Sequence, residues 1–326
     1  MVWLHGGGFR DGSSIEHVAY DGENLSRFGD VVVVTVNHRL NILGYLDLSP
    51  YGEKYWNSGN AGNADLVASL QWVHDNIAQF GGDPENVTIF GQSGGGGKVS
   101  SLMQTPAANG LFQKGIIMSG VYNGTLCPEK PDSRPLVQAM LQELGLAEED
   151  IEQLETLPYE ALAEAYKKVS PAIQEKGRIC RLRAHPQRVL PRRSPGGGLH
   201  PHARTIPVLV GTVIGEMCTF GPGLPDRRTR SREDQLTYLR KFLGDKTEEL
   251  VPLFEECYPR AAHHRPGAAG YLLPGGHQDF CRKKGRARPV RHLQLSVHFD
   301  FPIDDGTPAW HCADIPFVFH NTDKVP

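Results

Sequence analysis

The 326-residue sequence lacks any apolar run long enough to span a bilayer, which excludes a helical membrane protein. It also lacks a C-x-x-C pair. The six cysteines (Cys127, Cys180, Cys218, Cys257, Cys281 and Cys312) are scattered, which argues against a zinc site or a disulfide framework. A reducing, cytoplasmic compartment is therefore the default expectation. The formal net charge of −3 shows no strong excess of either sign. That excludes a strongly basic nucleic-acid binder and an acidic tail. No secretory leader is visible. Met1–Leu4 reads as the end of a buried strand and Pro326 follows an apolar segment, so the expectation is a chain truncated at both ends. What is present is ordinary: 39% hydrophobic and 22% charged residues, in a length ample for one sizeable core.

Residues 1–125 alternate between apolar runs and helical patterns. Val31–Val36 is a continuous β-branched run, expected of a strand buried on both faces. Leu66, Leu70, Val73 and Ile77 have helical spacing over 65–79. Val87–Phe90 and Gly115–Met118 are further strands. Strands alternating with helices predict a mostly parallel α/β sheet flanked by helices. Leu136, Met140, Leu141 and Leu144 form an apolar stripe ending at Gly145, a C-cap residue. Short helices follow over 148–157 and 159–169. Ile206–Gly211 returns to strand character, 235–257 is helical with a break at Gly244, and Leu293, Leu295, Val297 and Phe299 alternate as a strand does. The whole of 1–326 reads as a single domain. Two stretches, 178–204 and 263–292, are irregular and basic. A nucleic-acid arm, a disordered insertion and a misread frame all fit them, and the absence of interleaved aromatics disfavours the first.

Gly91-Gln92-Ser93-Gly94-Gly95 carries the chemistry. A serine in G-x-S-x-G, between a strand and a helix, is the sequence form of a nucleophile elbow. Upstream, His5-Gly6-Gly7-Gly8-Phe9 follows the opening strand. Acyl transfer builds negative charge on a carbonyl oxygen, and backbone N–H groups on a glycine loop can approach and stabilise it. Gly7, Gly8 and Gly94 are the expected donors, Gly94 because it follows the serine. A serine hydroxyl needs a base, and the base needs an acid to fix its tautomer. In this fold the order is serine, acid, histidine. Glu216 lies after the Ile206–Gly211 strand and is the leading acid. His311 follows the last strand and a polar loop, and is the leading base. His200, His202, His263 and His264 fall in the irregular stretches, and His200-Pro201-His202 is not read as a metal pair.

At these residues the chain resembles the type-B carboxylesterase family, which includes para-nitrobenzyl esterases and cholinesterases. Residues 80–95 resemble its active-site signature throughout. Gly59–Asp65 with Leu70-Gln71-Trp72-Val73, Thr35–Leu40 and Ala309–Phe319 resemble further segments of it. The resemblance implies an α/β-hydrolase fold with helical insertions over the active site. It implies Ser93 as nucleophile, His311 as base, Glu216 as acid, and Ser119 as a supporting serine near the acid. It implies a small-molecule ester as substrate, with no cofactor, metal, nucleic-acid or membrane partner. The sequence departs from the pattern at Gln92, usually Glu, and at Gly94, usually Ala. Three alternatives remain at this point: a catalytically dead fragment, a neuroligin-like binding module, and a hormone-sensitive-lipase-like esterase using an aspartate such as Asp314.

Overall fold

Among the described residues six short apolar runs make one parallel sheet. In the computed structural model they are β1 (Val2–Leu4), β2 (Val34–Val36), β3 (Thr88–Gln92), β4 (Lys114–Met118), β5 (Val208–Val213) and β6 (Leu293–Val297). The structure describes residues 1–120, 132–175, 200–213, 216, 231–257, 293–297 and 310–325. The strands lie in the order β2-β1-β3-β4-β5-β6, and every pair is parallel. The chain runs outward from β1 to β2. It then returns across β1 to β3 and continues in the other direction. Such a reversal leaves a crevice outside the carboxyl ends of the two central strands, where ligands bind in open α/β sheets. Here that crevice lies at the ends of β1 and β3, and Leu4 is in register with Gly91.

The period-2 pleat sends successive side chains to opposite faces, and both faces are covered. Val2, Leu4, Ile89 and Ile117 point into one core with Leu66, Leu70, Val73 and Val99. Trp3, Phe90 and Met118 point into the other, with Tyr20, Ile315 and Phe319. The described helices are α1 (Glu23–Gly29), α2 (Asn41–Tyr45), α3 (Ala61–Asn76), α4 (Gly94–Leu102), α5 (Arg134–Glu143), α6 (Tyr159–Glu175), α7 (Pro201–Thr205), α8 (Arg232–Leu243), α9 (Thr247–Cys257) and α10 (Ile315–Val318). The stripe of α5 packs with Leu154 and Leu162 into a separate apolar cluster that also takes in Ile42 and Tyr55.

Several expectations need correction. Only Val34–Val36 of the Val31–Val36 run is strand, and residues 31–35 are half-buried. The strand is the edge of the described sheet, with β1 as its neighbour. Residues 148–155 form a 3-10 helix, while the following helix runs on to Glu175. The stretch 178–204 is not irregular to its end: Pro201–Thr205 is helical because Ala203 and Ile206 insert into the core. Residues 178–199 and 263–292, with His263 and His264, lie outside the described residues.

Polar contacts fix the elements around the crevice. Asp65 on α3 accepts from Arg39 Nη2 at 2.7 Å and from the Arg39 backbone N–H at 2.9 Å. Tyr45 donates to Asn63 Oδ1 at 3.3 Å, and Asn63 donates to Ser101 Oγ at 2.6 Å, which joins α2, α3 and α4 through buried groups. Asn321 donates to the carbonyls of Ala19 and Asp21 at 3.1 and 2.8 Å, tying the C-terminal segment to the β1–β2 connection. Trp3 anchors that packing, with ring centroids 5.0 Å from both Phe90 and Phe319. Trp3→Ala is expected to lower stability by about 3–5 kcal/mol, read as a fall in the urea midpoint. A change below about 1 kcal/mol would contradict this role.

Candidate active site

Ser93 stands between β3 and α4 with φ 57 and ψ −122, a conformation that L residues rarely adopt. Its N–H donates to Met118 O at 2.8 Å, and its carbonyl accepts from Gly97 N at 3.0 Å, the first helical bond. Between residues 89 and 105 every residue is buried except Ser93. The turn therefore lifts one side chain out of the core toward the crevice. The glycines around it serve close approach. A Cβ on Gly95 would fall on the Leu4 carbonyl oxygen, and one on Gly94 would fall on the backbone of Gly8. The second contact accounts for glycine where the family pattern has alanine.

The loop after β1 turns through positive φ at Gly7 (79°) and Gly8 (69°). Its carbonyls are bonded away from the crevice. His5 O accepts from Lys98 Nζ at 2.9 Å, Gly6 O lies 3.1 Å from His5 Nδ1, and Gly7 O accepts from Asp11 N at 3.0 Å. Among the described residues, the N–H groups of Gly7 and Gly8 donate to no backbone carbonyl. Gly94 occupies the first turn of α4, where N–H groups have no intrahelical acceptor. The structure thus brings the three predicted donors together.

Glu216 and His311 also meet. Glu216 is fully buried, and its Oε2 lies 2.6 Å from His311 Nδ1. Its other oxygen accepts from Val213 N at 3.1 Å. On the far side of the ring, Gln92 Nε2 lies 3.3 Å from His311 Nε2, while Gln92 Oε1 accepts from the Cys312 thiol at 3.2 Å. This network assigns the proton of a neutral ring to Nδ1, facing the carboxylate, and leaves the Nε2 lone pair toward the serine's neighbour. Asp314, the alternative acid, makes no such contact. Its Oδ1 is buried without a partner, and burial, aided by the Glu216 charge, pushes its carboxyl up to about 6. Ser119 directly follows β4 at φ 48, and its N–H donates to Gly211 O at 2.8 Å. Among the described residues its buried hydroxyl has no hydrogen-bond partner, so the expected support of the acid does not take the form of a hydrogen bond to Glu216.

Two residues were missed as participants. Gln92 appeared in the sequence only as a departure, yet it touches the imidazole. Lys98 received no role, yet it is fully buried behind the glycine loop. Its signal was available: it is the only charged residue between Glu85 and Lys114. Burial pushes the Lys98 ammonium down to about 7, with Glu16 opposing. Burial and the Lys98 charge together hold His5 down to about 4. No group of three or more His, Cys, Asp or Glu suited to a metal ion occurs among the described residues, nor any helix long and apolar enough to cross a membrane.

A parallel sheet with a serine elbow at its switch point defines the α/β-hydrolase class. Within that class the chain belongs to the carboxylesterase family, whose model matches residues 1–262. The para-nitrobenzyl esterase of Bacillus subtilis (strain 168) is 36% identical over 331 residues, covering 100% of this chain and 64% of its own length. A solved esterase from the anaerobe Clostridium hathewayi is 51% identical with a TM-score of 0.88, over 100% of this chain and 64% of that one. A thermophilic para-nitrobenzyl esterase structure is 33% identical with a TM-score of 0.69, over 99% and 65%. The chain therefore spans about two thirds or slightly less of the length of these relatives.

The Asp314 carboxyl yields a stability prediction. Its folded-state pKa is raised, so the folded chain holds this proton more tightly than the unfolded chain. The resulting stabilisation is present at low pH and is lost as pH rises from the ordinary value of 3.8 through about 6. Asp314→Asn is expected to gain about 1–3 kcal/mol over the native chain above that range and to lose the advantage toward pH ~4. Urea melts across the range check this; a pH-independent difference would contradict it.

Proposed function

We propose that the chain is a carboxylic ester hydrolase working through a serine acyl-enzyme. The observation that carries this reading is the 2.6 Å contact of His311 Nδ1 with buried Glu216, beside the elbow that leaves Ser93 half-buried amid a buried stretch. Ser93 Oγ attacks the ester carbonyl while His311 Nε2 takes its proton. Glu216 holds the Nδ1 proton and stabilises the imidazolium that forms. The carbonyl oxygen gains negative charge and is met by the N–H groups of Gly7, Gly8 and Gly94. Collapse of the tetrahedral intermediate breaks the bond to the alcohol, which leaves with the proton from His311. Water then attacks the acyl-enzyme, gives a proton to His311, and the acid departs as Ser93 recovers its own.

The fixed tautomer supports this scheme. With Nδ1 protonated toward Glu216, Nε2 carries the lone pair that takes the Ser93 proton, and the long 3.3 Å contact from Gln92 gives way to the serine in that step. The relatives support a substrate class. One is a para-nitrobenzyl esterase, and the Clostridium hathewayi enzyme is described as hydrolysing aliphatic aromatic polyesters. Esters with an aromatic component are therefore the first substrates to offer. Nothing in the scheme calls for a metal or an organic cofactor.

A p-nitrophenyl ester should give a burst of p-nitrophenol from the native chain, and a fluorophosphonate should label Ser93. Ser93→Ala is expected to abolish labelling and lower kcat by about 10³-fold or more. Glu216→Gln is expected to lower kcat by about 10²–10⁴-fold, while Asp314→Asn stays within about 3-fold of native at pH ~8. The reverse order of these two losses would move the acid role to Asp314, and full turnover by Ser93→Ala would overturn the mechanism.

A further inference from the structure

We propose that Lys98 is a positioning residue for the oxyanion-binding loop, holding the His5 peptide from inside the core. The proposal rests on the serine-esterase reading above. Lys98 lies in the second turn of α4, fully buried, and its Nζ donates to His5 O at 2.9 Å. Among the described residues no ion pair with a carboxylate is formed by Lys98, although the more distant Glu16 favours its charge. A buried lysine without a paired carboxylate is costly, and a cation near the start of a helix opposes the helix dipole. A volume-matched apolar side chain would pack there without either cost. What the lysine adds is one contact, at the peptide that opens Gly6-Gly7-Gly8.

That contact has a directional consequence. The His5 carbonyl and the Gly6 N–H belong to one planar peptide and point oppositely. A donor on the oxygen fixes the plane of that peptide and polarises it. The next two peptides are held by their own carbonyls, Gly6 O near His5 Nδ1 and Gly7 O by Asp11 N. Lys98 thus supplies the first of three fastenings on the side of the loop away from the substrate. Because Gly94 packs directly on Gly8, a shift at His5 propagates to the distance between loop and elbow.

The test compares Lys98→Met, which keeps the volume, with Lys98→Gln, in the 326-residue chain. The expected result is a fall in kcat of about 10- to 100-fold with KM within about 2-fold. The affinity for a trifluoromethyl ketone, which mimics the tetrahedral adduct, should fall by the same factor. A side chain that only fills space would not move that affinity. Native kcat and native ketone affinity in a folded variant would overturn the proposal. So would failure of both variants to fold, which would make Lys98 a structural residue. Fluorophosphonate labelling of the native chain separates the two levels: native labelling with unaffected variants sinks the role of Lys98 alone, and absent labelling sinks the esterase reading with it.

Discussion

The structure depends on a contact from which side chains are excluded. The first turn of α4 lies backbone to backbone on the exit of β1, with Gly95 against the Leu4 carbonyl and Gly94 against Gly8. Three consequences follow from this one approach. The end of β3 and the end of β1 share a level, so the serine and the glycine loop open on the same crevice. The turn into α4 becomes too tight for ordinary backbone angles, and Ser93 takes the strained conformation that lifts it from the core. The N–H groups of the helix start and of the loop converge, because nothing stands between them. An alanine at position 94 would have to push Gly8 away, which widens the place where an oxyanion would sit.

The electrostatics of the site follow from unequal partnering of two buried carboxyls. Glu216 has a backbone N–H on one oxygen and the imidazole on the other. Asp314, close by in the same wall, leaves an oxygen without a partner, and its ionisation is suppressed. Burial first, and then the nearby Glu216 charge, shift Asp314 toward its protonated form. The imidazole has the Glu216 carboxyl group on Nδ1 and a neutral amide on Nε2. Gln92 matters in this respect. An acidic side chain in its place would put a second negative charge on the other side of the ring.

The sequence made the sheet and the elbow legible because both rest on local pattern. Val87–Phe90 is a short apolar run before a glycine turn, and Leu66, Leu70 and Val73 mark a helix by period alone. Glu216 and His311 were legible through order along the chain, and the structure brings them within hydrogen-bonding distance across 95 residues. What was not legible depends on three-dimensional neighbours. The Val31–Val36 run looks like a strand buried on both faces, but only its last three residues are strand, and residues 31–35 are half-buried. Ser119 sits where the pattern places it, at the end of β4, yet its hydroxyl finds no acceptor. Gln92 and Lys98 act by touching groups far away in sequence, and no periodicity carries that information.

The glycine run of α4 shows what the site requires of the fold. Gly94, Gly95, Gly96 and Gly97 open the helix, and each is less favourable there than alanine by about 1 kcal/mol. By propensity this segment should not start a helix. It does so because its surroundings leave no other arrangement: residues 94–102 are buried throughout, Val99 and Leu102 lie in the core, and Asn63 fixes Ser101 from α3. Tertiary packing therefore supplies the helix that local preference withholds, and the elements that do so are those read most easily from the sequence. The regular part of the fold carries the strain of the irregular part. Such an arrangement also explains how a buried lysine can be tolerated one residue after the run, since a helix already held on every side can accept a cation that its own dipole disfavours.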